Sequence, residues 1–379
     1  MTPPQRQVRS ERTGPRSAGP ASGKSGTARG TATGKATGKA PKRWSAARAA
    51  AGRGTGRGLV VAITGADSGL GRRLAEQLTG HPEVAELRPI ATGEPLLADR
   101  LAGASVLVHL EISFDAEPTV ANVPVAAAAL DAAGRAGVPR VVLCTSAMVY
   151  GADEANPLPL DEDAPLRATP ERGLVAELME IEDLARAARP AAGAGALTVL
   201  RPAMLVGGGM DTVLTRHFSS TRLLHLQGVR PAWQFCHVDD LVSALEYAAL
   251  GKVSGAVTVG CEGWLEQEDV ELVAGLRRIT LPSSLAFGAA ERLARLGVGA
   301  APASELRYVA YPWVVSSERL RTAGWRARYD NVAALEAMLV DLGARPANAH
   351  RASLGAAGAA VAMMGTAAIL RPARRRRRA

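Results

Sequence analysis

The feature that most constrains this chain is a short apolar run, Leu59–Thr64 (LVVAIT), which passes into a glycine-rich loop and then into leucines at helical spacing. The loop Thr64-Gly65-Ala66-Asp67-Ser68-Gly69-Leu70-Gly71 has the pattern GxxxGxG, and Leu70, Leu74 and Leu78 follow on one helix face. Strand, glycine turn and helix in that order make a phosphate-binding turn. The glycines allow close backbone approach, and the helix N-terminus offers free N–H groups and the positive end of its dipole. A purely structural tight turn is the other reading of the same glycines. Further β-like runs at Val106–Leu110, Val141–Cys144 and Leu197–Leu200 alternate with Ala-rich helical stretches such as Val125–Ala136. This alternation predicts an α/β fold built on a doubly wound parallel sheet.

With 379 residues the chain has room for one large α/β domain with an appended lobe, or for two domains. Cys144, Cys236 and Cys261 are far apart and form no CxxC pair, which argues against a disulfide framework and against a zinc site, and fits a reduced cytoplasmic setting. The net charge of +9 divides unevenly. Residues 1–57 hold 13 basic groups against the single acid Glu11, and 371–379 hold six arginines, leaving 26 basic and 35 acidic residues between them. The body is acidic and the ends are basic, so nucleic-acid binding is the least favoured function. Segment 1–57 is rich in Gly, Ser, Thr, Ala and Pro without apolar periodicity; it reads as a disordered basic tail and lacks the apolar stretch of a secretory signal. Residues 352–370 carry no charge and precede RPARRRRRA. Either they lie on an anionic membrane surface, with the arginines as a polybasic patch, or they form a helix with a solvated tail.

Four segments, VAITGADSGLGRRLAEQL, VVLCTSAMVYG, LTVLRPAMLVG and FCHVDDLVSALEYA, resemble in order and spacing the extended short-chain dehydrogenase/reductases, specifically the NAD-dependent epimerase/dehydratase family. The resemblance runs over about 58–340 and implies a Rossmann-like NAD- or NADP-binding domain at 58–203. A substrate lobe with return elements to the main sheet would occupy 204–345, and 346–379 would be an apolar segment with a polyarginine tail. It implies a nucleotide or nucleotide-sugar ligand and is compatible with a homodimer. By resemblance Gly65, Gly69 and Gly71 cradle the pyrophosphate with Asp67, Ser68 and Leu70 beside it. His109 lines the cofactor cleft next to Thr145, Ser146 takes the position of the active-site Ser/Thr, and Pro202 sits near the nicotinamide. HVDD (His237–Asp240) starts a returning helix, with Asp239 or Asp240 as its cap. Arg216, His217 and Gln234 are candidate ligand contacts in the lobe.

Three departures stand out. The extended class usually spaces its glycines as GxxGxxG. Its members also use a Tyr-x-x-x-Lys pair whose helical period puts both side chains on one face, the Tyr to move a proton and the Lys to lower its pKa. Here those positions fall on Leu174 and Leu178, and there is no lysine between Trp44 and Gly251 and no tyrosine between Gly151 and Glu246. Lastly, the ribose-binding acid at the end of the second strand has no counterpart in register, since Glu86 is early and Glu94 late. The short stretch Gly93–Ser105 also leaves no space for the family's third strand. Ser146, Tyr150, His109, Glu177 and Glu180 are the groups left to move a proton. Two functions remain open: an atypical nucleotide-sugar or carbonyl oxidoreductase or epimerase, and a non-catalytic nucleotide-binding sensor or scaffold.

Overall fold

The structure is a computed structural model. It describes residues 58–343 except 96–97, 115–120, 171–172, 189–195, 221 and 296–302. The basic tail and the 352–370 run, with the arginines after it, lie outside the described residues.

Strands β1 (Leu59–Thr64), β2 (Val84–Ile90), β3 (Val106–His109), β4 (Arg140–Cys144) and β5 (Ala196–Pro202) are joined by a later strand, Gly255–Val259, in one six-stranded sheet. All pairings are parallel, in the order Gly255–Val259, β5, β4, β3, β1, β2. Buried on both faces, these strands read as continuous apolar runs rather than alternating ones. Helices α1 (Gly69–Leu78), α2 (Asn122–Ala136) and α3 (Leu174–Ala188) cover the sheet. Leu74 and Leu78 of α1 are fully buried, each contributing about 1.5–3 kcal/mol of apolar transfer. Leu178, Ile181 and Ala185 of α3 are buried with Ala126, Ala129 and Ala133 of α2 on the other face.

The shortened connection behaves as its length requires. Between β2 and β3 the described chain makes only a single turn, Ala98–Leu101, and β3 then returns beside β1. β2 is therefore the edge of the sheet, and the third strand of the family pattern is absent from the described residues. Chain order reverses between β1 and β3, the switch point where open α/β sheets place ligands at the carboxyl ends of their strands.

After β5 the chain leaves the sheet and returns through the helix Val238–Ala249 and the strand Gly255–Val259. The expected aspartate cap of that helix is corrected: His237 is the cap, its Nδ1 accepting from the Asp239 N–H at 3.2 Å. Burial holds the imidazole pKa down, keeping Nδ1 free to accept, and the ring stacks on Tyr329 at 3.6 Å. The two aspartates have other partners. Asp239 pairs with Arg73 at 2.8 Å, and Asp240 accepts from the backbone N–H groups of Arg328 and Tyr329.

Candidate functional site

The glycine loop lies at the carboxyl end of β1, and its three glycines have different surroundings. Gly65 has φ +65°, and a Cβ there would sit 3.1 Å from the backbone of Leu110 and Glu111. At Gly71 a Cβ would come 2.1 Å from the Gly65 carbonyl oxygen, so helix and loop pack at a distance that excludes any side chain. A Cβ at Gly69 meets nothing within 4 Å, which leaves the first turn of α1 open to an approaching ligand. Ser68 caps that helix, accepting from the Gly71 N–H at 3.0 Å, and no acidic residue stands in the first turn to offset its positive end. Leu70 is half-buried against the core.

A carboxylate does reach the end of β2, by a route the sequence reading did not consider. Asp67, in the glycine loop, accepts from both the N–H and the hydroxyl of Thr92 at 2.7 and 2.8 Å. The Thr92 N–H, foremost among these contacts, holds its pKa below the usual carboxylate range. Glu111, buried just beyond β3, accepts from the Gly93 N–H at 2.6 Å. Two carboxylates from neighbouring loops thus stand at the end of β2.

His109 is fully buried, with Nδ1 2.7 Å from the Thr64 hydroxyl. Burial lowers its pKa to about 4, so at neutral pH it is an uncharged core imidazole and no part of the open cleft wall. At the end of β4, Thr145 donates to Glu182 at 2.8 Å, and Glu182 holds Arg201 through two bonds of 2.8 and 2.7 Å. Arg201 in turn donates to the Tyr150 hydroxyl at 2.8 Å, and that hydroxyl donates to the Glu162 carbonyl at 3.2 Å. Tyr150 is buried and fully partnered, and desolvation pushes its phenol pKa up. It belongs to a structural polar network below the cleft.

Ser146 caps the turn Ala147–Tyr150 by accepting from the Met148 N–H, and reaches the Pro202 carbonyl at 3.5 Å. It lines a narrow, mostly apolar pocket of ≈ 30 Å³ together with Leu174, Pro202, Leu205, Trp313 and Glu305. That is space for about one or two waters. Leu174 therefore faces the same pocket as Ser146, while Leu178, one turn on, is fully buried in the core. Glu177 accepts from Asn122 at 2.7 Å and is not among the residues lining this pocket. Tyr247 and Lys252 do meet, the ammonium 4.7 Å from the ring centroid. They lie where the returning helix runs into the start of Gly255–Val259, at the amino edge of the sheet opposite the glycine loop.

In the lobe, Arg216 pairs with Asp211 at 2.8 Å. His217 is half-buried and stacked on Trp233 at 5.6 Å, and desolvation lowers its pKa to about 4. Gln234 is buried between Cys261 and Val315, donating to both carbonyls and accepting from the Val315 N–H. The glycine loop and the Ser146–Pro202 pair are thus brought to one sheet edge; Tyr150, His109 and Gln234 are structural. Sequence reading missed Glu111 and Glu305. Glu111 directly follows the apolar run of β3, a signal that was there to use, whereas nothing local to Glu305 points to the pocket it joins.

Residues 100–260 match the model of the NAD dependent epimerase/dehydratase family. Two curated relatives, the uncharacterized proteins Mb0513 of Mycobacterium bovis and Rv0501 of Mycobacterium tuberculosis, are each 28% identical over 203 residues, 52% of this chain and 53% of theirs. The match spans about half the length of those relatives. Among solved structures, MoeE5 in complex with UDP-glucuronic acid and NAD superposes with a TM-score of 0.55 at 22% identity, covering 74% of this chain and 98% of that one. The Bordetella bronchiseptica enzyme WbmG in complex with NAD and UDP gives 0.55 at 17% identity, with 76% and 95% covered. UDP-N-acetylglucosamine 4-epimerase from Bacillus cereus gives 0.53 at 17% identity, with 75% and 99% covered. At such identities these structures share the fold with this chain. Residues 100–260 thus match the model of the NAD dependent epimerase/dehydratase family, and the described residues share the fold of these solved structures.

Proposed function

We propose that the chain binds a nicotinamide dinucleotide along the carboxyl edge of its sheet and acts on a nucleotide-sugar or related carbonyl compound as an oxidoreductase or epimerase. The glycine cradle carries this reading: two of its glycines admit no side chain, and the third opens the start of α1 to a ligand. Gly65, Gly69 and Gly71 with the α1 N-terminus would hold the pyrophosphate, Asp67 a ribose, and Ser146 and Pro202 the nicotinamide end. The dinucleotide, when bound, supplies a hydride acceptor or donor. The chain's part is to orient the substrate, keep water from the apolar pocket and move a proton. Residues 58–203 then form the cofactor domain and 204–345 the substrate lobe.

A second reading, a nucleotide-binding sensor or scaffold without turnover, rests on one specific observation. Leu174, which the resemblance aligns with the family's tyrosine, lines the pocket, and Leu178 is core. Isothermal titration with NAD⁺, NADH, NADP⁺ and NADPH separates the readings. Binding followed by conversion of a UDP-sugar supports the enzyme, binding without conversion of a panel of UDP-sugars favours the sensor, and no binding to any of the four ends the oxidoreductase reading. The three cysteines are free and buried, which fits a reducing compartment. Among the described residues no helix is long and apolar enough to cross a membrane. A surface role for 352–379 predicts that a chain ending at 351 loses its pelleting with anionic vesicles.

A further inference from the structure

Beyond the carboxyl end of β4 lies a cleft of ≈ 510 Å³ that shares no lining residue with the glycine loop or the Ser146 pocket. Three segments wall it: the turn from Tyr150 to Asn156, the approach to α3 from Arg167 to Pro170, and Arg307 and Tyr308 of the lobe turn Ala303–Val309. Small-molecule sites run from about 300 to 1,000 Å³, and this cleft has that size where the Ser146 pocket, at ≈ 30 Å³, does not. Several of its polar groups are spent on holding the wall. Arg307 donates through Nε to the Ala152 carbonyl at 3.1 Å and through Nη2 to Asp153 at 2.9 Å, and its guanidinium lies 5.0 Å from the centre of the Tyr311 ring. Asp153 is neutralised by that pair and also accepts from the Ala155 N–H at 3.0 Å. Tyr308 donates its hydroxyl to the Met148 carbonyl at 2.6 Å, which leaves the ring as wall. Other groups remain open. Arg307 Nη1 has no partner among the described residues, and neither has the guanidinium of the exposed Arg167. Asn156 is 8% exposed, and its Nδ2 donates to the Gly151 and Pro312 carbonyls at 2.8 and 2.9 Å, so that Oδ1 is left as an acceptor without a partner among the described residues. With Asp153 and Arg307 cancelling, Arg167 gives the cleft a net positive charge in a body whose acids outnumber its bases.

We propose that this cleft binds a phosphorylated sugar, its phosphate held by Arg167 and Arg307 Nη1 and one of its hydroxyls donating to Asn156 Oδ1. Arginine suits a phosphate because its planar fork offers several charge-assisted N–H donors at once. Arg307 is already fixed by its own contacts, so little side-chain freedom is lost when it meets the ligand. An acceptor such as Asn156 Oδ1 calls for a donor, which a hydroxyl supplies and a bare phosphate dianion does not. The site stands apart from the glycine cradle and does not depend on the dinucleotide reading.

The test is calorimetric titration of the full chain with glucose 1-phosphate, ribose 5-phosphate, inorganic phosphate and glucose. At least one of the two sugar phosphates should bind wild type about tenfold more tightly than inorganic phosphate or glucose, each of which supplies only part of the contacts. Arg167→Gln should weaken that binding about tenfold, and Arg167→Lys, which keeps the charge and loses the fork, should recover part of it. Because the Arg167 side chain holds nothing in the fold, a melting temperature equal to that of wild type identifies both variants as folded. Absence of binding by both sugar phosphates overturns the proposal, as does glucose or inorganic phosphate binding as tightly as either ester. Equal affinity of Arg167→Gln and wild type also overturns it, since the phosphate would then be bound elsewhere on the chain, the glycine loop included.

Discussion

The glycine loop after β1 and the pocket after β4 and β5 lie on the same edge of one sheet, yet they follow the pattern of the family they resemble to different degrees. The loop has a left-handed glycine, a helix start with no side chain in the way and no acid in the first turn, features that would suit a phosphate group. The pocket is lined by Ser146, Pro202 and Leu174, and among its described lining residues the one ionisable carboxyl is Glu305. The difference follows from what each task demands. Holding a pyrophosphate relies on backbone N–H groups and free space, which survive substitution of many side chains. Acid–base chemistry depends on a few specific side chains and is lost when they are replaced.

The largest expected effect lies beneath the pocket. Arg201→Met leaves Glu182 buried without its counterion and should cost about 3–5 kcal/mol in chemical denaturation. Replacing both partners by apolar residues should recover most of the loss. A single variant of wild-type stability would show that this pair does not support the β4–β5 end.

Next is the pH dependence contributed by Glu305. Its pKa in the folded chain is raised from 4.5 to about 7, so the native state holds a proton that the unfolded chain has already released between those values. Stability is therefore highest below the unfolded pKa and falls as pH rises toward and through 7, by on the order of 3 kcal/mol. Glu305→Gln should melt well above wild type at pH 8 and close to it at pH 4. Parallel melting curves across that range would mean that the carboxyl is solvated or paired.

Gly71→Ala tests the cradle itself. The added methyl meets the Gly65 carbonyl oxygen and should cost about 1–3 kcal/mol together with dinucleotide binding. The smallest effect on stability gives the sharpest contrast. Gly69→Ala adds a methyl in open space on a helix, so stability should hold or rise by roughly 0.5 kcal/mol. NAD⁺ affinity should nevertheless fall about tenfold. Unchanged affinity in calorimetry would move the pyrophosphate away from this position.

Much of this arrangement was legible in the sequence because it is encoded locally. The LVVAIT run, the glycine spacing and the leucine step of α1 lie within about twenty residues, and the structure follows them closely. The short Gly93–Ser105 connection likewise announced the missing strand, since so few residues leave no length for a strand and its helix. The aspartate cap of Val238–Ala249 failed for a tertiary reason: Tyr329, from far along the chain, stacks on His237 and fixes its ring at the cap, while Arg73 and the 328–329 backbone take the two aspartates. Tyr150 had looked available because it follows Ser146 closely; packing turned its phenol into the Arg201–Glu182 network.

By itself, then, the sequence determined the parallel sheet, the strand, glycine turn and helix that open it, and the absence of lysine between Trp44 and Gly251 and of tyrosine between Gly151 and Glu246, since these are read directly from local periodicity, spacing and composition. Only the tertiary structure decided which carboxylates reach the cleft. Asp67 reaches the end of β2 by binding Thr92, and Glu305 reaches Ser146 because a turn of the distant lobe folds back over the start of α3. Such meetings depend on how separate elements pack, and the free energy that holds a carboxyl against Leu174 comes from the burial of all its neighbours, which no local pattern records.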